Sequence, residues 1–183
     1  GGNRVVKRLT GRPPHLYITR MPVAPQPCLR IRLVTAPVHT GKTTRLLAWC
    51  TGRNDVDGVL APVVDGHRHI VRILTGEYRD LEDVRTGEPS LEVGPYRFSA
   101  DAFAWARRQL SESTGREHLI VDEYGKLELR GEGLEPAVSR MLAAMRVADS
   151  PHTVILVVRD GLVEQALARL GVDTAAVSPF AGA

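Results

Sequence analysis

The segment from residue 29 to residue 44 constrains the fold of this chain most. It opens with the β-branched and aliphatic run 29–34, continues through a loop that ends in Gly41-Lys42-Thr43, and then takes up a helical pattern of apolar residues. Strand, tight loop and helix in this order are the context in which a phosphate-binding loop works, because the N–H groups at the start of the helix converge on an anion. The segment therefore predicts a nucleotide-binding α/β domain.

Each residue type in this loop has a chemical role. Gly41 permits the tight turn that points consecutive N–H groups inward. Lys42 brings positive charge to the β- and γ-phosphates, and the Thr43 hydroxyl is a ligand for Mg²⁺. We expect the whole stretch to contact the nucleotide, and its residues are Ala36, Pro37, Val38, His39, Thr40, Gly41, Lys42, Thr43 and Thr44. Ala36 stands where such loops usually have glycine, and His39 could either contact phosphate or face solvent.

A second motif follows the buried-strand pattern at residues 119–121, where Asp122 and Glu123 come directly after the strand. Asp122 is placed to hold Mg²⁺ through water, as a Walker B aspartate does. Glu123 is the candidate base that orients or deprotonates the attacking water. Two adjacent carboxylates on their own would indicate only a solvated strand end. Together with the phosphate loop, they indicate a catalytic site.

The rest of the chain alternates strands with helices. Residues 58–64 and 69–74 predict two strands joined by an Asp65-Gly66 turn, and residues 153–158 predict a central strand of a parallel sheet. Arg159 follows that central strand, where it could act as a transition-state cation or simply lie next to a helix cap. We expect a three-layer α/β domain with a mostly parallel sheet and an antiparallel hairpin, over residues 29–183.

Residues 1–28 fit this pattern poorly, because five prolines and several basic residues interrupt them. They predict a basic, proline-rich leader in which residues 15–19 could form one extra strand. A basic arm that touches nucleic acid stays open as a weak alternative, since the net charge is +3 but no DNA-binding motif follows.

Composition narrows the class further. The 183 residues, 43% of them hydrophobic and 25% charged, suit one globular domain. No apolar run reaches the length of a membrane span and no signal-peptide pattern opens the sequence, so we expect a cytoplasmic protein without membrane contact. Cys28 and Cys50 are too far apart for a redox or zinc pair, and we expect both to be reduced thiols.

The stretch Val121-Asp122-Glu123-Tyr124-Gly125-Lys126-Leu127-Glu128-Leu129 resembles the acidic motif of the cancer-related and thermophile nucleoside-triphosphatase family, Asp-Glu-Ile-Gly-Lys-Met-Glu-Leu. Residues 57–69 and 93–98 are similar to two further segments of that family, so the resemblance covers roughly residues 29–160. Two departures concern the site. The loop begins Ala36-Pro37-Val38-His39-Thr40 in place of a glycine-rich start, and Tyr124 replaces an aliphatic residue.

The resemblance implies a RecA-like P-loop domain that hydrolyses nucleoside triphosphates slowly, with Mg²⁺ and little base selectivity. Carried over by position, it assigns phosphate binding to residues 41–44, the metal to Thr43 and Asp122, and catalysis to Glu123. Lys42 belongs to the same catalytic set. Lys126 matches the motif as well, and its cation could reach the phosphates or lie on the surface.

Three functions follow from these residues. The first is hydrolysis of a nucleoside 5'-triphosphate to the diphosphate and phosphate, which the Asp122-Glu123 pair favours because it suits water as the acceptor. The second is a nucleoside or nucleotide kinase, for which Arg79 and Arg85 could supply a lid over the phosphates. The third is a nucleotide-gated binding module with little turnover.

Overall fold

The computed structural model of the protein describes residues 29–36, 41–82, 84–148 and 151–181. The predicted leader, residues 1–28, lies outside the described residues. So do four of the predicted nucleotide-binding residues, Pro37, Val38, His39 and Thr40.

Ten strands and five helices make up the described chain. The strands are β1 (Leu29–Ala36), β2 (Val56–Leu60), β3 (Val63–Val64), β4 (His67–Arg72), β5 (Tyr78–Asp80), β6 (Ser90–Val93), β7 (Tyr96–Ser99), β8 (His118–Tyr124), β9 (His152–Arg159) and β10 (Val177–Pro179). The helices are α1 (Lys42–Cys50), α2 (Ala100–Glu112), α3 (Lys126–Leu129), α4 (Ala137–Arg146) and α5 (Val163–Leu170). None of the helices in these described ranges is long and apolar enough to cross a membrane.

Eight of the strands form one sheet in the order β10-β1-β9-β8-β2-β4-β3, with β5 paired to the other edge of β4. The strands from β10 to β2 run parallel, whereas β4 runs antiparallel to β2 and to β3. Strands β6 and β7 form a separate antiparallel hairpin. The predicted mostly parallel sheet with an antiparallel hairpin is therefore confirmed.

The central strands are buried on both faces, which explains the three layers. In β8, Leu119 and Val121 pack into a core with helices α2, α4 and α5, and Ile120 between them packs into a second core with α1. In β9, Leu156 and Val157 divide between the same two cores. Successive side chains of a strand point to opposite faces, so uninterrupted apolar runs such as these require helices on both sides.

The prediction of one continuous strand over residues 58–64 is wrong. The chain leaves the sheet at Ala61-Pro62, so that β2 ends at Leu60 and only Val63–Val64 continue as the short strand β3. Proline cannot donate a ladder hydrogen bond, which accounts for the break. Within β2, Gly58 has a φ of 114°, and a Cβ atom there would collide with the backbone of Ile120. This close approach seats β2 directly against β8, the strand that carries the acidic motif.

Candidate active site

The predicted site residues gather at the carboxyl edge of the parallel strands. Ala36 ends β1 and its backbone pairs with Arg159 at the end of β9, while Asp122 and Glu123 lie near the end of β8. Helix α1 begins at Lys42, directly after Gly41. Ligands of open α/β sheets bind at this edge, outside the carboxyl ends of the strands.

Gly41 opens α1 in the left-handed conformation, with a φ of 73° and a ψ of 19°. Its carbonyl accepts a hydrogen bond from Arg45 N at 3.0 Å, the first bond of the helix. A residue with a Cβ would be strained in this conformation. The glycine predicted to turn the loop therefore does so, and it places Lys42, Thr43 and Thr44 in the first turn of the helix.

Thr43 and Asp122 meet across the gap between α1 and β8. The Thr43 hydroxyl donates to Asp122 Oδ2 at 2.9 Å, and the Ala61 amide donates to the same oxygen at 3.0 Å. Asp122 is only 3% exposed, and its other oxygen, Oδ1, is buried without a hydrogen-bond partner among the described residues. Burial raises the pKa of Asp122 to about 6, against the opposing effect of the Ala61 amide. A buried carboxylate with one open oxygen therefore lies beside the Thr43 hydroxyl, in the first turn of α1.

This donor set fits Mg²⁺. A hydroxyl and a carboxylate are the hard oxygen ligands that Mg²⁺ prefers, and Mg²⁺ takes its remaining ligands from water and phosphate. A divalent cation would also offset the cost of an uncompensated buried carboxylate at Asp122. Thr43 and Asp122 are thus the residues that would hold the metal.

Glu123 is turned towards the cleft by an irregularity in β8. Val121 pairs with Leu156 and Tyr124 pairs with Val158, so β8 has one more residue than β9 over this interval. Glu123 has a φ of 60°, a left-handed conformation that is uncommon for a residue with a side chain. Such bulges re-aim side chains and are frequent beside active sites. The bulge lets two adjacent carboxylates, which would face opposite sides of a regular strand, serve the same site.

Arg68 is the site residue that the sequence did not identify. It comes from β4, and its Nη1 donates to Glu123 Oε2 at 2.7 Å. Its Nε donates to Glu82 Oε1 at 3.3 Å, so the guanidinium bridges two carboxylates. Its position just after the Asp65-Gly66 turn predicted that Arg68 lies in a hairpin. It did not predict the direction in which that hairpin folds.

A cleft of about 270 Å³ joins the start of α1 to Arg68 and Glu123. Its walls are Gly41, Lys42, Thr43, Thr44, Ala61, Val63, Arg68, Glu123, Val157 and Arg159. The structure thus brings the start of α1 together with Glu123 and with Arg159, for which the sequence left a site role and a helix-cap role open. Three cations, from Lys42, Arg68 and Arg159, line the cleft against the one carboxylate of Glu123. Such a balance favours a polyanion such as a triphosphate.

Two other predicted residues lie elsewhere. Lys126 begins α3 and lines an adjoining cavity rather than this cleft. The guanidinium of Arg79, expected as part of a kinase lid, lies 4.8 Å from the ring centre of Trp105 and is not among the residues that line the cleft. The phosphate contact predicted for Lys126 stays a prediction.

The fold is that of the P-loop class, a three-layer α/β domain in which a helix start lies beside an acidic strand end. Two solved structures are similar to the chain. One is a human cancer-related nucleoside triphosphatase, with a TM-score of 0.56 and 25% identity, covering 82% of this chain and 88% of the other. The second is THEP1 from the hyperthermophile Aquifex aeolicus, with a TM-score of 0.52 and 16% identity over 81% of this chain and 88% of its own, and it supports the fold alone.

The similarity to the human protein confirms the predicted family resemblance, and both similarities confirm the predicted fold class. The sequence matches no family model, and no curated protein sequence matches it significantly.

Proposed function

We propose that this protein hydrolyses nucleoside 5'-triphosphates to the diphosphate and phosphate in a Mg²⁺-dependent reaction. The observation that carries the proposal is the hydrogen bond from Thr43 to Asp122, with Glu123 lining the same cleft. The human structure with 25% identity is itself named a nucleoside triphosphatase, which supports the same activity here.

Binding would begin at the start of α1. The N–H groups of its first turn and the Lys42 ammonium would hold the β- and γ-phosphates. Thr43 and Asp122 would hold Mg²⁺, which when bound neutralises charge on the β- and γ-phosphate oxygens. Asp122 keeps its Oδ1 for this purpose, since its Oδ2 already accepts from Thr43 and Ala61.

Glu123 would then position and deprotonate the attacking water. Its Oε2 is engaged by Arg68, so Oε1 is the oxygen that would accept from water. The bound water has to lie against the γ-phosphate for in-line attack, and Glu123 is the carboxylate that the cleft presents there.

Arg68 would stabilise the charge that develops on the transferred phosphoryl group. In the structure it is bound to Glu123 and Glu82, and it has to loosen from these carboxylates to contact phosphate. This competition supports slow turnover. Broad base tolerance fits the same cleft, because its described walls offer groups for phosphates, which all nucleoside triphosphates share.

The test is phosphate release from ATP, GTP, CTP and UTP, each with Mg²⁺ and with EDTA. Wild type and Arg45→Ala should release phosphate from all four with Mg²⁺ only. Arg45 is the matched control because it is exposed on α1 and does not line the cleft. Lys42→Ala should lose most of this release. Release that persists in EDTA, or that survives Lys42→Ala unchanged, would overturn the proposal.

A further inference from the structure

A second cavity, of about 210 Å³, adjoins the cleft at Glu123. It shares four wall residues with the cleft: Ala61, Arg68, Glu123 and Arg159. None of the residues 41–44 at the start of α1 lines it. A molecule in this cavity would therefore contact Glu123 and Asp122 without occupying the phosphate-binding turn, which is left to the nucleotide.

The walls of this cavity are mostly apolar and largely fixed by the core. Ile70, Leu81, Phe103 and Leu134 are all at most 6% exposed and line it. Such side chains keep their positions whether or not a ligand is present, so the cavity is preformed. Concave apolar walls with a few convergent polar groups are typical of sites for small organic molecules.

The mouth of the cavity is aromatic. Tyr96, at the start of β7, is 58% exposed, and its ring lies nearly parallel to that of Phe98, with an angle of 12° and 6.3 Å between ring centres. Both residues line the cavity. An exposed aromatic face at the entrance to an apolar cavity suits a planar ring that stacks on it.

The polar groups show how such a ligand would be oriented. Lys126, Asp122 and Glu128 line the cavity, and both of these carboxylates are buried. Glu123, Arg68 and Arg159 line both the cavity and the cleft. A ligand with an aromatic ring at Tyr96 would direct its polar end towards Glu123. The volume is below the roughly 300–1,000 Å³ of sites that enclose drug-sized ligands, so the expected ligand is a small molecule with a planar ring at one end and a hydroxyl-bearing group at the other.

We propose that this cavity binds a nucleoside as an alternative phosphoryl acceptor, a proposal that rests on the proposed nucleotide site. The base would stack on Tyr96 and a sugar hydroxyl would take the place of water at Glu123. The hydroxyl oxygen bonds to the γ-phosphorus and its proton passes to Glu123. The bond from the γ-phosphorus to the β–γ bridging oxygen breaks, and the nucleoside diphosphate leaves with that electron pair. The products are a nucleoside monophosphate and a nucleoside diphosphate.

The experiment uses ATP labelled at the γ-phosphate, Mg²⁺, and each of the four ribonucleosides and four deoxyribonucleosides in turn. We expect label in the monophosphate of at least one nucleoside as well as in inorganic phosphate. In Tyr96→Ala the KM for that nucleoside should rise by about 5- to 150-fold, the effect of losing one base–aromatic stacking contact. Tyr78→Ala is the matched control, since Tyr78 is 57% exposed and lines neither cavity.

Two results overturn the inference while leaving hydrolysis intact. One is label found only in inorganic phosphate with every nucleoside. The other is an unchanged nucleoside KM in Tyr96→Ala. Absence of both phosphate release and transfer would overturn the nucleotide site itself, and the acceptor site with it.

Discussion

Arg68 and Glu123 form an ion pair across the cleft, with Arg68 Nη1 and Glu123 Oε2 2.7 Å apart. Only 18% of the Arg68 side chain and 35% of the Glu123 side chain are exposed. The pair joins the antiparallel edge of the sheet, through β4, to the parallel strand β8 that carries the acidic motif. It holds a planar cation and the candidate base together in the wall of the cleft.

Replacement of Arg68 should distinguish stabilisation of the transition state from simple restraint of Glu123. If Arg68 stabilises the transition state, Arg68→Ala lowers kcat for phosphate release by at least about 100-fold, as the loss of a donor to developing charge does. Arg68→Lys should recover only part of this, because an ammonium cannot form the bidentate contacts of a guanidinium. Steady-state kinetics at saturating nucleotide measure the effect.

The control for Arg68 is Arg97→Ala, since Arg97 is half exposed, pairs with Glu92 and lies outside the cleft. Its kcat should equal that of wild type. A kcat that rises in Arg68→Ala would contradict the role assigned here, because it would show that Arg68 only restrains Glu123.

The Thr43 hydroxyl should govern the affinity for Mg²⁺. Thr43→Val keeps the side-chain shape but removes the hydroxyl, so the Mg²⁺ concentration for half-maximal phosphate release should rise by about 10- to 100-fold, as it does when a group that holds or orients a metal ligand is removed. Thr43→Ser keeps the hydroxyl and should stay close to wild type. Equal Mg²⁺ requirements in the Val and Ser variants would mean that Thr43 does not hold the metal.

The position of the β3–β4 hairpin depends on a buried ion pair between β4 and β2. Arg72 Nη2 lies 3.0 Å from Asp57 Oδ2, and Asp57 is 1% exposed. Asp57→Ala leaves Arg72 without its main partner, so the free energy of unfolding should fall by about 3–5 kcal/mol. Urea denaturation measures this change.

The matched control for Asp57 is Glu132→Ala. Glu132 pairs with Arg130, and their side chains are 43% and 50% exposed. Water screens this pair, so its loss should cost about 0.2–1 kcal/mol. Similar losses for the two variants would show that the Asp57–Arg72 pair does not anchor the hairpin.

Local sequence patterns predicted the scaffold of the site well. Predicting the role of Gly41 required only its turn conformation and the helix that follows it. Predicting β9 required only that an uninterrupted apolar run be buried on both faces. Both properties belong to residues close in sequence. They could therefore be predicted without knowing the structure of distant parts of the chain.

Contacts between distant segments could not be predicted in the same way. Which way Glu123 faces depends on the pairing register of β8 and β9, a property of two strands together. The contact between Arg68 and Glu123 depends on how the β3–β4 hairpin folds against β8. The sequence did not predict strand β5, because all three of its residues face solvent and no apolar alternation marks the strand.

Glu123 as the base that activates water is the central claim, and single-turnover phosphate release tests it most directly. With Mg²⁺ present and enzyme in excess over nucleotide, Glu123→Gln should release phosphate about 100- to 10,000-fold more slowly than wild type. This is the usual contribution of a general base. Glu92→Gln, on the exposed face of the β6–β7 hairpin, should match wild type. A Glu123→Gln rate indistinguishable from that of Glu92→Gln would contradict the claim.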